Sequence, residues 1–178
     1  MTERLLTQSR VVWDYVSQSF HPQVARMGIY HDDVVVSSSL FTPLSTLFAV
    51  LAWLLVIVLG AVLIRSRGGR WIAFGIGWFL LGHSVESTVL PLEMYFEHRN
   101  YFPLMGLLLA LGGLFAVVVR RWPEPKAPLL VCLAVCALLL SGLTSSQVQV
   151  WSNRSLLILN HLNGHPQSAR ANIDMATE

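Results

Sequence analysis

The segment His83 to Pro103, HSVESTVLPLEMYFEHRNYFP, holds most of the side chains in this chain that could do chemistry. His83, Glu86 and Ser87 follow i, i+3, i+4 spacing and so share one helix face. Glu86 falls inside an apolar run. A carboxylate at the centre of a membrane helix costs about 2.5–3.5 kcal/mol on insertion scales, so a partner, water or a function must offset it. His83, one turn away, is its nearest partner. Pro91 suits the first turn of a new helix, where a missing N–H does no harm. Glu93 and Glu97 would then lie one turn apart on one face. His98, Arg99, Asn100 and Tyr101 follow at the expected membrane surface. The planar guanidinium of Arg99 matches the geometry of phosphate or carboxylate. Tyr95, Phe96, Tyr101 and Phe102 supply aromatic rings of the kind that settle at headgroup level.

A second polar group, His31-Asp32-Asp33, lies shortly before the first long apolar run. Two adjacent carboxylates beside a histidine suit a metal ion or a basic group, and the segment can fold back over residues 91–101. The expected roles are therefore binding by Glu97, His98, Arg99, Asn100 and Tyr101, with support from His31, Asp32, Asp33, His83, Glu86 and Glu93. No catalytic residue is assigned. A metal held by His83 and Glu86 would make a small intramembrane metalloenzyme, but the chain has no H-E-x-x-H or comparable spacing. Neither a metal nor another cofactor is expected.

Long apolar segments must position these groups. Leu44–Ile64 is 21 residues without a charge, and a hydrocarbon core of about 30 Å needs roughly 20 helical residues. Further runs cover Trp71–Leu90, Phe102–Val119 and Pro128–Ser146. The expectation is an all-α polytopic membrane protein of about four transmembrane helices. An N-terminal amphipathic helix over 4–20 joins them, with Leu5, Val12, Trp13, Val16 and Phe20 near one face and Gln8, Arg10, Asp14 and Ser17 near the other. Such a stripe suits a helix lying in the membrane interface, or one packed on a neighbouring domain. The tail reads as a helical hairpin, broken at Asn163-Gly164-His165-Pro166 and restarted by Pro166 and Ser168. It has the form of a first solenoid unit. The organisation expected is 1–43 as an outer-face helix and loop, 44–146 as the transmembrane region, and 147–178 as an outer-face tail.

Composition agrees with a lipid setting. Of 178 residues, 54% are hydrophobic and 12% charged, against about 25% charged in an ordinary soluble domain. The net charge of +2 gives no reason to expect a nucleic-acid partner. Cys132 and Cys136 sit i, i+4 inside an apolar run and read as packing residues rather than a disulfide framework. Glycines 75, 77, 106, 112 and 113 read as positions for close helix packing. Asn153-Arg154-Ser155 matches the glycosylation acceptor pattern.

Arg65, Arg67, Arg70, Arg120, Arg121 and Lys126 fall in two short loops, whereas the other six basic residues are spread over much more sequence. The positive-inside rule places the short loops in the cytoplasm and both termini outside. An outer N-terminal stretch without a signal peptide is most simply delivered by a further upstream span, so the chain is expected to be the C-terminal part of a larger protein.

The run Glu97-His98-Arg99-Asn100-Tyr101-Phe102-Pro103 resembles the E-H-R-N-Y-L-P signature of bacterial multispanning proteins joined to tetratricopeptide repeats. These are similar to the eukaryotic transmembrane and tetratricopeptide-repeat O-mannosyltransferases, which carry an E-R-x-L-Y-x-P-S element. Leu5 through Val12, Gly28 through Asp33 and Trp151 through Ala171 also look like that family. The chain departs from the pattern at Phe102, where leucine is commoner, and at Leu104, where the eukaryotic element has serine. The resemblance implies a GT-C type enzyme of the bacterial inner membrane that moves a sugar from a polyprenyl-phosphate donor to a hydroxyl, here of a protein acceptor, on the outer face. It also implies that the acidic catalytic residue lies in an outer loop preceding this chain, so that this chain holds an incomplete active site. The alternative is a non-enzymatic anchor or scaffold that presents a helical repeat to periplasmic proteins.

Overall fold

The computed structural model describes residues 1–23, 27–28, 30–84, 95–122 and 126–177, with Glu97, Lys126 and Leu129 described by backbone alone. Among the described residues the protein is all-helical, with no strand. Its helices are α1 (Thr2–Phe20), α2 (Ser45–Leu63), α3 (Gly69–Ser84), α4 (Tyr101–Arg121), α5 (Lys126–Ser152), α6 (Arg154–Gly164) and α7 (Ala169–Ala176), with a 3-10 turn at Glu97–Asn100 running directly into α4. Three segments are long and apolar enough to cross a membrane: Ser45–Leu63, His98–Arg121 and Leu130–Ser152. The fourth expected span, Trp71–Leu90, is described only as far as Ser84. The described part, the 16-residue α3, rises about 24 Å.

The chain divides into two compact units. The first comprises Met1–Pro22 and Val34–Arg121. Within it α3 and α4 run antiparallel and touch along their lengths. A Cβ on Gly82 would meet the Pro103 ring at 2.9 Å, one on Gly106 the Phe79 nitrogen at 2.6 Å, and one on Gly113 the Ile72 nitrogen at 3.0 Å. Gly75 faces the backbone of Gly106 and Ala110. Small residues thus let two backbones meet, which is how helices associate where lipid offers no hydrophobic contrast. Gly75, Gly106 and Gly113 serve as expected. Gly77 and Gly112 do not, because a Cβ at either would find nothing within 4 Å.

Helix α1 packs on the first half of α2. The Trp13 indole N–H donates to the Ala49 carbonyl at 3.1 Å and the Trp53 indole N–H to the Ser9 carbonyl at 3.0 Å. The two indoles stack with centroids 4.4 Å apart. The buried face of α1 is Thr7, Gln8, Val11, Val12 and Tyr15, a helical i, i+4, i+8 arc that differs from the expected stripe. Gln8, placed on the polar side in the sequence reading, is inside, while Leu5 and Phe20 are exposed. Buried hydroxyls explain the rotation. Thr7 Oγ1 accepts from the Ser37 N–H at 2.8 Å, Ser37 Oγ bonds Thr46 Oγ1 at 2.8 Å, and Arg10 donates to Ser37 Oγ at 3.2 Å and to the Val35 carbonyl at 3.0 Å. The buried hydroxyls of Thr7, Ser37 and Thr46 are paired, so this part of the polar arc can face inward without an unmet desolvation cost.

The second unit comprises Gln23–Asp33 and Trp122–Glu178. Helix α5 continues six residues past the expected end of its run, through Thr144-Ser145-Ser146-Gln147. The hydroxyls of Ser141, Thr144, Ser146 and Ser152 bond back to carbonyls three or four residues earlier at 2.7–2.9 Å, so the polar stretch stays helical. The break comes at Asn153, whose side chain accepts from the Leu156 N–H at 3.3 Å and caps α6. This capping is a local structural role for the Asn of the acceptor pattern. Cys132 and Cys136 are both free and exposed on α5, rather than buried among the described residues.

Candidate functional site

The centre of the site is the 3-10 turn Glu97–Asn100. It sits where the chain enters α4, and its preceding residue Phe96 has an extended backbone. Two tyrosines fix this entry. The Tyr15 hydroxyl donates to the Phe96 carbonyl at 3.1 Å and accepts from the Phe96 N–H at 2.7 Å. The Tyr95 hydroxyl donates to Asp14 at 2.7 Å. Val11, Tyr15 and Tyr95 form a buried cluster, joined by the partly buried Val34. An aromatic file continues from it: Tyr15 stacks on His83 with centroids at 5.4 Å, His83 meets Phe79 edge-on at 4.7 Å, and Phe79 stacks on Trp53 at 5.9 Å. Helices α1, α2, α3 and the turn are thereby locked together at one end of the first unit.

On this frame the turn presents its polar groups. The Arg99 guanidinium lies over the Phe96 ring at 5.2 Å, a cation–π contact that orients the fork. His98 is exposed and meets the edge of the Phe96 ring at 4.6 Å. The Tyr101 side chain is 75% exposed at the start of α4. The Asn100 amide donates to Ser19 Oγ at 3.5 Å. His83 is buried at 5% exposure, and the Asn100 side chain is its polar neighbour. Among the described residues His83 Nε2 and Asn100 Oδ1 have no hydrogen-bond partner.

The structure therefore brings His83, His98, Arg99, Asn100 and Tyr101 into the first unit beside the turn. Glu86 and Glu93 lie outside the described residues, as does the side chain of Glu97. Tyr15 and Asp14 were not among the expected site residues. The i, i+3, i+4, i+7 spacing of Gln8, Val11, Val12 and Tyr15 was their one available signal.

His31, Asp32 and Asp33 belong to the second unit and find partners in the tail. His165 Nδ1–H donates to both Asp33 carboxylate oxygens at 2.9 Å. Asp32 accepts from the Ser168 hydroxyl, and from the Ala169 N–H at 3.0 Å. Ser168 also caps α7, accepting from the Ala171 N–H at 3.1 Å. The ring of His31 meets that of His165 edge-on at 4.6 Å. Tyr30 donates to Asp174 at 2.9 Å, and this carboxylate beside the phenol pushes the Tyr30 pKa up. Among the described residues no group of three or more His, Cys, Asp or Glu side chains converges as metal ligands do. The two aspartates instead tie their segment to the tail, Asp33 to His165 at the end of α6 and Asp32 to the start of α7, where a negative charge is favourable.

No family model, curated protein or solved structure matches this chain. Its chemistry must be read from the site alone.

The Asp32 contact gives a pH prediction. The Ser168 hydroxyl, followed by backbone N–H groups, holds the Asp32 carboxyl below its ordinary value of 3.8. A depressed carboxylate contributes stability that is full above the unfolded value and is lost as pH falls through the folded value. The Ala169 amide resonance should therefore titrate below pH 3.8 in the native protein. It should move up toward that value in Ser168→Ala. An unchanged titration in the variant would contradict the assignment.

Proposed function

We propose that this chain is the membrane portion of a glycosyltransferase that uses a polyprenyl-phosphate-linked sugar donor, contributing donor binding to an active site completed elsewhere in the protein. The observation that carries the reading is the Arg99 guanidinium, laid over Phe96 on a clamped turn at the head of an apolar helix. A lipid-linked phosphate needs a cation at headgroup depth and an apolar wall for its tail. Arg99 supplies the first, since guanidinium–phosphate hydrogen bonds are charge-assisted and bidentate, and the exposed His98 ring lies beside it. The exposed apolar faces of Tyr101, Phe102 and Met105 supply the second. The buried side chains of His83 and Asn100 place polar groups beside the turn, of the kind that sugar hydroxyls hydrogen-bond. In this reading the membrane is the bacterial inner membrane, both termini face the periplasm, and the acceptor is a protein hydroxyl.

The test is Arg99→Ala in the full-length protein. Losing a bidentate charged contact should lower glycan transfer on the order of a hundredfold, with membrane insertion intact. Normal transfer by this variant would refute the role.

A second reading, a non-enzymatic scaffold that presents its tail to periplasmic proteins, draws on one observation. The short helices α6 and α7 expose Leu156, Leu159, Ile173 and Met175, an apolar excess typical of a unit awaiting a stacking neighbour. Under it, Leu159→Glu and Ile173→Glu abolish partner capture while Arg99→Ala is silent.

A further inference from the structure

At the other end of the first unit the helices finish in arginines. The Arg65, Arg67 and Arg70 turn joins α2 to α3, and Arg120 and Arg121 close α4. A Cβ on Gly68 would meet the Val117 side chain at 2.8 Å, so these groups share one end of the bundle. Beside the turn lies a cavity of about 610 Å³ lined by Ile64, Arg67, Arg70, Trp71, Ala73 and Phe74. Its volume is in the range of small-molecule sites, and its lining is divided between two cations and an apolar wall.

The guanidinium groups of Arg67 and Arg70 are charged donors in the cavity lining. Two backbone amides at the start of α3 are already used: the Gly69 N–H donates to Ser66 Oγ at 2.9 Å and the Arg70 N–H to the Ser66 carbonyl at 3.1 Å. Arg70 is held toward the cavity by an Nε–H bond to the Ile64 carbonyl at 3.4 Å. Among the described residues no acidic side chain lines the cavity. Its apolar wall is open: Trp71 is 63% and Phe74 51% exposed, and their rings meet edge-on at 6.5 Å. That wall continues into the exposed surface of α2, a helix long and apolar enough to cross a membrane.

We infer that this cavity binds the phosphate of an anionic lipid headgroup between Arg67 and Arg70, with the start of an acyl chain against Trp71 and Phe74. Charge complementarity selects the headgroup, because two cations without a carboxylate favour a net negative ligand over a zwitterionic one. The apolar wall selects a lipid over a free anion, which would leave Trp71 and Phe74 uncovered. Basic residues at a membrane surface attract any anionic lipid weakly. A cavity lined by two guanidinium groups adds the directed hydrogen bonds that hold one molecule. The site is independent of any sugar donor at Arg99.

Native mass spectrometry of the full chain, released from micelles doped with phosphatidylglycerol or phosphatidylcholine, tests it. One phosphatidylglycerol should be retained, and phosphatidylcholine should not. Arg67→Gln with Arg70→Gln should reduce retention about tenfold or more, the scale of lost charged hydrogen bonds. Arg120→Gln with Arg121→Gln, which removes equal charge outside the cavity, should retain the lipid. Equal loss in both pairs would overturn the site in favour of diffuse attraction. Equal retention of both lipids would overturn it too, as would full displacement by millimolar inorganic phosphate, which would make the ligand a free anion. Unchanged helical circular dichroism in the arginine variants separates lost binding from lost fold.

Discussion

Gly106→Leu should break the α3–α4 pair, while Gly112→Leu on the same helix should leave it intact. At Gly106 a Cβ would lie 2.6 Å from both the Gly75 carbonyl oxygen and the Phe79 nitrogen, and 2.9 Å from Trp78 Cδ1. Two of these three neighbours are backbone, so no rotamer change relieves the overlap and the helices must separate. Overpacking typically costs about 1–3 kcal/mol. A contact that is mostly backbone against backbone belongs at the upper end of that range. The consequence reaches the site, because α3 carries His83 and α4 follows the 3-10 turn. At Gly112 a Cβ meets nothing within 4 Å, so leucine there replaces a poor helix former with a good one at no packing cost. Mixed-micelle unfolding midpoints should therefore fall sharply for Gly106→Leu and hold or rise for Gly112→Leu. Equal effects at the two positions would show that the glycines are not what sets the interhelical distance.

The same contrast shows what sequence can and cannot reveal here. Apolar runs longer than a bilayer need no partner to be recognised, and three of the four expected spans have the length and composition the structure requires. That glycines let helices approach was also legible. Which of them do so was not, because Gly75, Gly106 and Gly113 are separated from Gly77 and Gly112 only by the rotation of each helix against its neighbour. Helix α1 shows the same difficulty. Its hydropathy marked Trp13 and Val12, but the Ser37 N–H bonds the Thr7 hydroxyl and draws Thr7 inward, and that partner comes from a distant segment. Asp32 and Asp33 read as a ligand pair because their neighbours in sequence offer nothing else. Their partners, Ser168 and His165, stand 136 and 132 residues away, and no local period encodes such a pairing. The turn at 97–100 was found from its residue types. Its clamp was not, since nothing about Tyr15 in sequence points to residue 96.

Tyr15→Phe should release that clamp without unfolding the protein. The hydroxyl makes two bonds to one residue, accepting from the Phe96 N–H at 2.7 Å and donating to its carbonyl at 3.1 Å. Phenylalanine keeps the ring on His83 and Tyr95 but leaves both backbone groups without that partner. An unmet buried polar group costs about 1–3 kcal/mol, so the Phe96 amide should exchange with solvent about tenfold faster or more. Amides in the middle of α2, distant from the hydroxyl, should not change. Tyr15→Ala should go further, because it also removes the stacking with His83 and Tyr95, about 0.5–1.5 kcal/mol for each aromatic pair. The effect on Arg99 follows from position. Its guanidinium rests on the Phe96 ring at 5.2 Å, and a Phe96 freed at its backbone no longer fixes where that ring lies. In a full-length enzyme the phenylalanine variant should then raise KM for the lipid-linked donor more than it lowers kcat, whereas a globally loosened protein would lose both. Hydrogen exchange over residues 95–101 that matches the native protein would show that α1 does not position this turn.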